Sequence, residues 1–392
     1  PKNTQVAKGG CAAHSTGGWL RALAEAGVRV INISPIREDG PEAALAEWLP
    51  IRPNTDTAML LALVHTLIVE NRHDRAFLAS HCVGFAPVER YLLGESDGEP
   101  KSAAWAEAIT GVPAEVIRTL ARDMAATRTM LSAAWSLQRA DHGEQPYWAL
   151  ILLAAALGQI GLPGGGLGFG YGSSAGIADP PLAFRAPMME GLRNPLGRAI
   201  PAARIADCLL DPGGHYDFDG KAATFPDIRL VYWAGGNPFH HHQDLNRLRR
   251  AWQRPETVIV HDPWWTATAR HADIVLPATT SLERNDIGAS TRDSYVIAMQ
   301  QAIPPVGEAR NDFDIFRDLA ERLGCAAGFT EGRDETAWLH HLYDRFREGA
   351  RSNATGVPDF EAFWRDGWFE IPSRAEDYVL FEAFRADPAA HR

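Results

Sequence analysis

Cysteine is scarce in this sequence and shows no pairing pattern. Cys11, Cys82, Cys208 and Cys325 are the four cysteines in 392 residues, and no two form a C-x-x-C pair. That spacing excludes a local iron–sulfur motif or a zinc ribbon, and four buried thiols is the plain expectation. An excess of positive charge is also missing: 49 acidic side chains face 38 basic ones, for a formal net charge of −11. Binding to phosphate backbones needs a basic face, so nucleic acid and anionic membrane surfaces are set aside as partners. No apolar run is long enough to cross a bilayer, and the most apolar one, 148–157, reads as a buried helix. A strand-turn-helix G-x-G-x-x-G is absent too, because the glycines of 162–170 follow a helix. The first residue is Pro1 and no signal-peptide pattern precedes the first helix, so a cut N-terminus and a fragment are expected. The expected compartment is the cytoplasm, with the periplasm as the alternative.

What is present is ordinary globular material with one unusual stretch. The chain is 46% hydrophobic and 22% charged, without low-complexity tracts, and is long enough for two or three domains with their own cores. Within 226–286, strand-like runs at 228–233, 257–261 and 273–276 alternate with helical or polar segments, which predicts a β-α-β-α-β unit of a parallel sheet. Each run ends in unusual residues: Gly235-Gly236-Asn237-Pro238, then His261-Asp262-Pro263, then Pro277. Ligands of open parallel sheets sit beyond the carboxyl ends of the strands, so these turns form the first candidate site. Glycines let a flat or phosphorylated ligand approach the backbone, Asn237 offers a donor and an acceptor, and Asp262 stands where a carboxylate can meet a nucleoside. The same residues equally describe a tight turn and a helix cap.

Other stretches add candidates. Residues 15–27 predict a helix closed by Gly27, followed by a strand over 28–33 that ends in Ser34-Pro35. VRVINISPIR thus repeats the plan of TVIVHDPWW. Asn54, Thr55 and Asp56 precede a helix with Leu60, Leu63, Val64, Leu67 and Ile68 inward, and Thr55 or Asp56 is its cap. Helices are expected at 101–109 and 113–126, the second burying Val116, Ile117, Leu120 and Met124. A strand over 129–136 runs into Trp135 and Arg139, which either line a polar pocket or are a packed indole and an ion-paired surface arginine. His240-His241-His242 is set aside as a metal site, since consecutive side chains cannot all face one ion. Residues 162–201 are Gly/Pro-rich and aperiodic, and the domain boundary is placed there: 1–187 and 188–392. A strand at 295–299, a capped helix from Asp312, and helical or aromatic segments at 334–349 and 357–368 follow.

RPNTDTAMLLALVHTL, AWSLQRADHGEQPYW, LGQIGLPGGGLGFGYG, YWAGGNPFHHHQDLNR, TVIVHDPWWTATARHADIVLPATTSLERNDI and GEARNDFDIF run through nearly the whole chain in order. Together they resemble the dimethyl sulfoxide reductase family of molybdopterin oxidoreductases, particularly its biotin sulfoxide and trimethylamine N-oxide reductase branch. The resemblance implies an α/β architecture of two related Rossmann-like parallel-sheet domains, 1–187 with helical insertions and 188–392 with C-terminal helices. It implies molybdenum held by bis(molybdopterin guanine dinucleotide), one nucleotide in each domain. Lys2, Ser34, Asn54 and Asp56 would serve the first nucleotide. Asn237, His241, His261, Asp262, Arg284 and Asp312 would serve the second. Trp135 and Arg139 fall where the family lines the pocket near the metal, and Ser34 departs from the family's more frequent aspartate. The family's N-terminal region, with the serine ligand to molybdenum, would precede Pro1, and its C-terminal barrel-like domain would follow Arg392.

The function this implies is oxygen-atom transfer from a small S-oxide or N-oxide, with electrons from a donor protein or reductant, the fragment being expected inactive alone. A nicotinamide or flavin oxidoreductase and a non-catalytic nucleotide- or partner-binding α/β module remain the alternatives.

Overall fold

The computed structural model describes residues 16–39, 46–169, 187, 197–289, 295–350, 356–372 and 379–391. Lys2, Cys11 and most of the 162–201 stretch lie outside them. The chain divides into two compact units, Pro1–Ala183 with Ser290–Ser294 and Ile371–Arg392, and Phe184–Ala289 with Tyr295–Glu370.

The first unit is built on the helix Asp56–Val69. Ala58, Met59, Ala62, Leu63, Val64, Leu67 and Ile68 are all buried on it, a wider face than the predicted stripe. A helix apolar on nearly every side belongs inside a core, and this one packs on the helices Ala103–Thr110, Ala114–Ala126 and Gln145–Leu157. Two parallel strand pairs lie against the same core. β1 (Ile31–Ile33) pairs with β2 (Glu47–Leu49). β3 (Met130–Ala133) pairs with β4 (Gly166–Phe169).

The structure departs from several expectations. The first strand covers only Ile31–Ile33. The strand expected over 129–136 stops at Ala133, and Trp135–Arg139 winds into a 3-10 turn. Trp148 is 66% exposed although the rest of its helix is largely buried, and Val116 is exposed while Ile117 and Leu120 are buried. Of the cysteines, Cys208 is buried, Cys82 half-buried and Cys325 exposed.

In the second unit the helix Ile205–Leu210 is followed by an antiparallel hairpin, β5 (His215–Phe218) and β6 (Lys221–Thr224). Its parallel sheet has the order β7 (Leu230–Ala234), β8 (Thr257–Asp262), β9 (Ile274–Pro277). The helices Pro238–His241 and Leu245–Ala251 join the first two strands, whereas the predicted second helix is only the 3-10 turn Ala269–His271. Phe239, Leu248, Ala251, Trp252, Val258, Val260 and Ala269 form the core beneath the sheet. An antiparallel set follows, β10 (Asp286–Gly288), β11 (Tyr295–Met299) and β12 (Trp368–Glu370), with helices Asp312–Arg322, Glu335–Ala350 and Phe360–Asp366. The chain is therefore mixed α/β with small parallel sheets.

One glycine is held by two constraints at once. Gly158 closes the helix Gln145–Leu157 at φ 66°, and a Cβ there would lie 2.2 Å from Asp74 Oδ2. Asp74 caps the helix Arg75–His81 by accepting from Phe77 N at 2.9 Å. Gly158→Ala should lose the left-handed allowance, about 1–2 kcal/mol, and about 1 kcal/mol more from the displaced cap. Gly98, at φ 80° with open space around it, should cost only the first amount. Urea unfolding of the two alanine variants checks this, and equal losses would refute it.

Candidate functional site

Three turns leave one edge of the parallel sheet, because Ala234, His261 and Leu276 are level in register. After β7, Gly235 and Gly236 both take φ 77°, and among the described residues, chain neighbours apart, only Trp233 Nε1 comes within 4 Å of either would-be Cβ. The pair satisfies the left-handed backbone and leaves the space above the turn open. Asn237 follows as the N-cap position of the helix Pro238–His241, its Oδ1 accepting from Thr268 Oγ1. Its NH₂ group has no intramolecular partner among the described residues. His241, at the end of that helix, is exposed. Burial and the neighbouring His241 push the His242 imidazole below its ordinary pKa.

After β8, the Asp262 carboxylate accepts from Trp264 N at 2.9 Å and from Thr266 Oγ1 at 2.7 Å. These bonds close a turn and cap no helix, since the next helical turn is Ala269–His271, and a carboxylate with about four lone-pair sites keeps capacity for a ligand donor. Trp264 and Trp265 beside it are both exposed. Next to Asp262, His261 is buried and uses both ring nitrogens. Nδ1 is 2.7 Å from Asp312 Oδ1, and Nε2 is 2.6 Å from the Tyr232 hydroxyl. A carboxylate can only accept, so Nδ1–H donates to Asp312; in the neutral ring Nε2 then accepts from Tyr232. Burial, with the Asp312 charge, raises the Tyr232 phenol above its ordinary pKa and keeps it a donor.

The third turn is held by Glu283, a buried carboxylate. Its Oε2 accepts from Thr280 N at 2.7 Å and Thr280 Oγ1 at 2.6 Å, and its Oε1 accepts from Val306 N at 2.6 Å. These donors hold its pKa below the usual carboxylate range. The neighbouring Arg284 is fixed in turn, donating to Thr279 O and to Asp286 Oδ2, both at 3.1 Å. Thr279 Oγ1 is buried without a partner among the described residues.

In the first unit, Ser34 ends β1, is buried, and accepts from Ile36 N through Oγ at 3.2 Å. Asn54 takes a left-handed φ of 62° in the turn before the helix Asp56–Val69. Thr55 is the N-cap residue but makes no side-chain cap; its hydroxyl donates to Arg52 O instead. Burial raises the Asp56 carboxyl above its ordinary pKa. Burial, with the Asp56 charge, raises the Tyr147 phenol above its ordinary pKa, and its hydroxyl donates to Ala134 O at 2.8 Å, just before the Trp135–Arg139 turn. Arg139 is exposed there and has no ion pair among the described residues, so the surface-pair expectation is not realised. The Trp135 side chain lies outside the described ones.

Residues 12–322 match the model of the molybdopterin oxidoreductases. The chain belongs to the molybdopterin oxidoreductase family. It is 54% identical over its whole length to a biotin sulfoxide reductase of Cereibacter sphaeroides, covering 53% of that protein. To a dimethyl sulfoxide/trimethylamine N-oxide reductase of the same organism it is 48% identical over 96% of the chain and 47% of the relative. A trimethylamine-N-oxide reductase of Haemophilus influenzae is 44% identical over 94% of the chain and 47% of its own length. The chain thus spans about half the length of these curated relatives. Among solved structures, acetylene hydratase from Pelobacter acetylenicus superposes with a TM-score of 0.59 over 93% of this chain and 52% of its own, at 19% identity, which speaks to fold alone. The nicotinamide, flavin and non-catalytic alternatives find no support in these matches.

Family membership implies molybdenum and a molybdopterin cofactor. No cluster of three or more His, Cys, Asp or Glu side chains that could hold a metal ion occurs among the described residues. An open glycine turn, a spare amide, spare carboxylate lone pairs and an orphaned buried hydroxyl on one sheet edge fit the organic part of such a group, a ligand rich in donors and acceptors. Sequence reasoning missed Tyr232, Thr268, Thr279 and Glu283 at this edge.

The Glu283 clamp makes a pH prediction. Its carboxyl has a depressed pKa in the folded chain, so its contribution is full above the unfolded value and disappears as pH falls through the folded one. Glu283→Gln should melt below wild type at neutral pH, and the two should converge as the pH drops below about 4, the usual glutamate range. A gap that persists undiminished in acid would exclude the clamp.

Proposed function

We propose that this chain is part of a molybdenum-dependent S-oxide or N-oxide reductase that binds bis(molybdopterin guanine dinucleotide). The observation that carries the reading is the 54% identity to a biotin sulfoxide reductase over every residue of the chain. The substrate class is a small oxide such as biotin sulfoxide, trimethylamine N-oxide or dimethyl sulfoxide, and electrons come from a donor protein or reductant. In this reading residues 1–187 and 188–392 are related Rossmann-like nucleotide domains, and the compartment is the cytoplasm.

The residues divide by task. Lys2, Ser34, Asn54 and Asp56 serve one nucleotide. Asn237, His241, Asp262, Arg284 and Asp312 serve the other, with His261 beside them. Asp262 accepts from the N–H donors of a guanine edge with its spare lone pairs, and the Gly235-Gly236 turn lets the ligand approach the backbone. The cofactor, when bound, supplies the two-electron chemistry of oxygen-atom transfer. The protein binds and orients. S-oxides and N-oxides carry a partly negative oxygen, so the Arg139 guanidinium turns that oxygen inward, and Trp135 forms an apolar wall that selects among oxides.

Two sets of variants in the intact enzyme test this. Asp262→Ala should lower the guanine nucleotide retained after purification by removing charge-assisted hydrogen bonds of about 1.5–3 kcal/mol each. Full cofactor loading in a folded Asp262→Ala enzyme would sink the nucleotide assignment. Arg139→Ala should cut turnover or raise KM with S-oxides and N-oxides while molybdenum and pterin content stay at wild-type levels. Unchanged kinetics with a lowered melting point would return Arg139 to a purely structural role.

A further inference from the structure

We propose that Tyr232 and His261 are positioning residues that orient the Asp312 carboxylate toward the second nucleotide, and that His261 itself touches no ligand. The inference rests on the reading that a nucleotide occupies this sheet edge, and it revises how the edge works. Motif matching puts His261 among the residues that serve the cofactor directly. Its surroundings leave it no means to do so. The residue is 2% exposed, both ring nitrogens are engaged at 2.6 and 2.7 Å, and a ring face stacks on Phe316 at 4.8 Å. Tyr232 stacks on the same phenylalanine at 5.7 Å, so one aromatic ring packs against both members of the chain.

Asp312 is different. Its side chain is 46% exposed, and Oδ1 takes the histidine proton. No partner for Oδ2 occurs among the described residues, which leaves that oxygen for an N–H or O–H of the ligand. The chain Tyr232–His261–Asp312 thus joins β7, β8 and the helix Asp312–Arg322, and transmits the sheet's rigidity to a carboxylate that is half exposed. A carboxylate held in one rotamer by a hydrogen-bonded imidazole loses less freedom on binding than a free one, which is the use such supporting residues have in binding sites.

A double-mutant cycle in the intact holoenzyme tests the inference, reading the rate at which guanine nucleotide is lost during prolonged dialysis. Tyr232→Phe removes one hydroxyl and keeps the ring, and should speed the loss about two- to tenfold, the range of one neutral hydrogen bond. Asp312→Asn should speed it more, and the double variant should match Asp312→Asn alone, because Tyr232 acts only through that carboxylate. Effects that multiply, or retention in Tyr232→Phe equal to wild type, would overturn the proposal while leaving the cofactor reading intact. Wild-type enzyme without any guanine nucleotide would overturn both. The imidazole ¹⁵N resonances of His261 supply a readout that packing alone does not move: the Nε2 signal should shift in Tyr232→Phe with Nδ1 still protonated, and an unmoved Nε2 signal would exclude the chain.

Discussion

Parallel register is the constraint on which the second unit depends. In a parallel sheet every strand points the same way, so β7, β8 and β9 deliver their turns to one edge. Asn237, Asp262 and Thr279 become neighbours of one space although long segments separate them in sequence. The pairing is pinned from below. On β8, Val258 and Val260 are buried in the core while Thr257 and Ile259 are less so, and a one-residue slip would exchange the two faces. The same slip would separate Tyr232 from His261, whose side chains meet only because Tyr232 pairs with Ile259 and Ala234 with His261. Core packing and site geometry are therefore one constraint.

Much of the fold was legible because it follows from periodicity. The helix Ala114–Ala126, the strand Tyr295–Met299 and the strand Thr257–Asp262 fall within a residue of their expected bounds. What escaped depends on partners that periodicity does not encode. Gly166–Phe169 lies in a glycine-rich stretch without strand periodicity and becomes a strand because β3 supplies a parallel partner. The helix over Trp148 is apolar all round, so its pattern says it is buried without saying on which faces; Trp148 and Ile151 are the exposed pair. Val116 fits an inward spacing, yet the helix is turned so that Ile117, Leu120 and Ala121 face the core.

The candidate site was legible in its turns and illegible in its supports. Gly235, Gly236, Asn237 and Asp262 stand out because such residues weaken a strand and favour the turn that ends it, so their place in the sequence marks the sheet edge. Tyr232 looks like any aromatic residue of a strand, and Glu283 like any acidic residue of a polar loop. Only folding shows that Tyr232 lies 2.6 Å from a histidine 29 residues away, or that Glu283 reaches Val306 N 23 residues on. His261 shows the reverse: its motif marks it together with Asp262, yet it is buried with both ring nitrogens engaged, whereas Asp262 keeps open lone pairs.

Rigidity is unevenly distributed between the two kinds of cation in the proposed reading. Several arginines of this acidic chain are spent on surface ion pairs such as Arg29 with Glu47 and Asp123, or Arg122 with Glu70, which add little stability each. Arg284 is held by a backbone carbonyl and a carboxylate before any ligand arrives, and the buried Glu283 next to it fixes the loop. Arg139 is exposed at the end of a five-residue 3-10 turn, with its local support coming through Tyr147 and Ala134. A prearranged guanidinium loses little entropy on binding and suits a cofactor that stays for the life of the enzyme, whereas a loosely held one suits a substrate that comes and goes. With a net charge of −11, the chain as a whole does not attract an anionic cofactor. In the proposed reading the attraction is local, from the open glycine turn and the fixed Arg284 near the parallel edge.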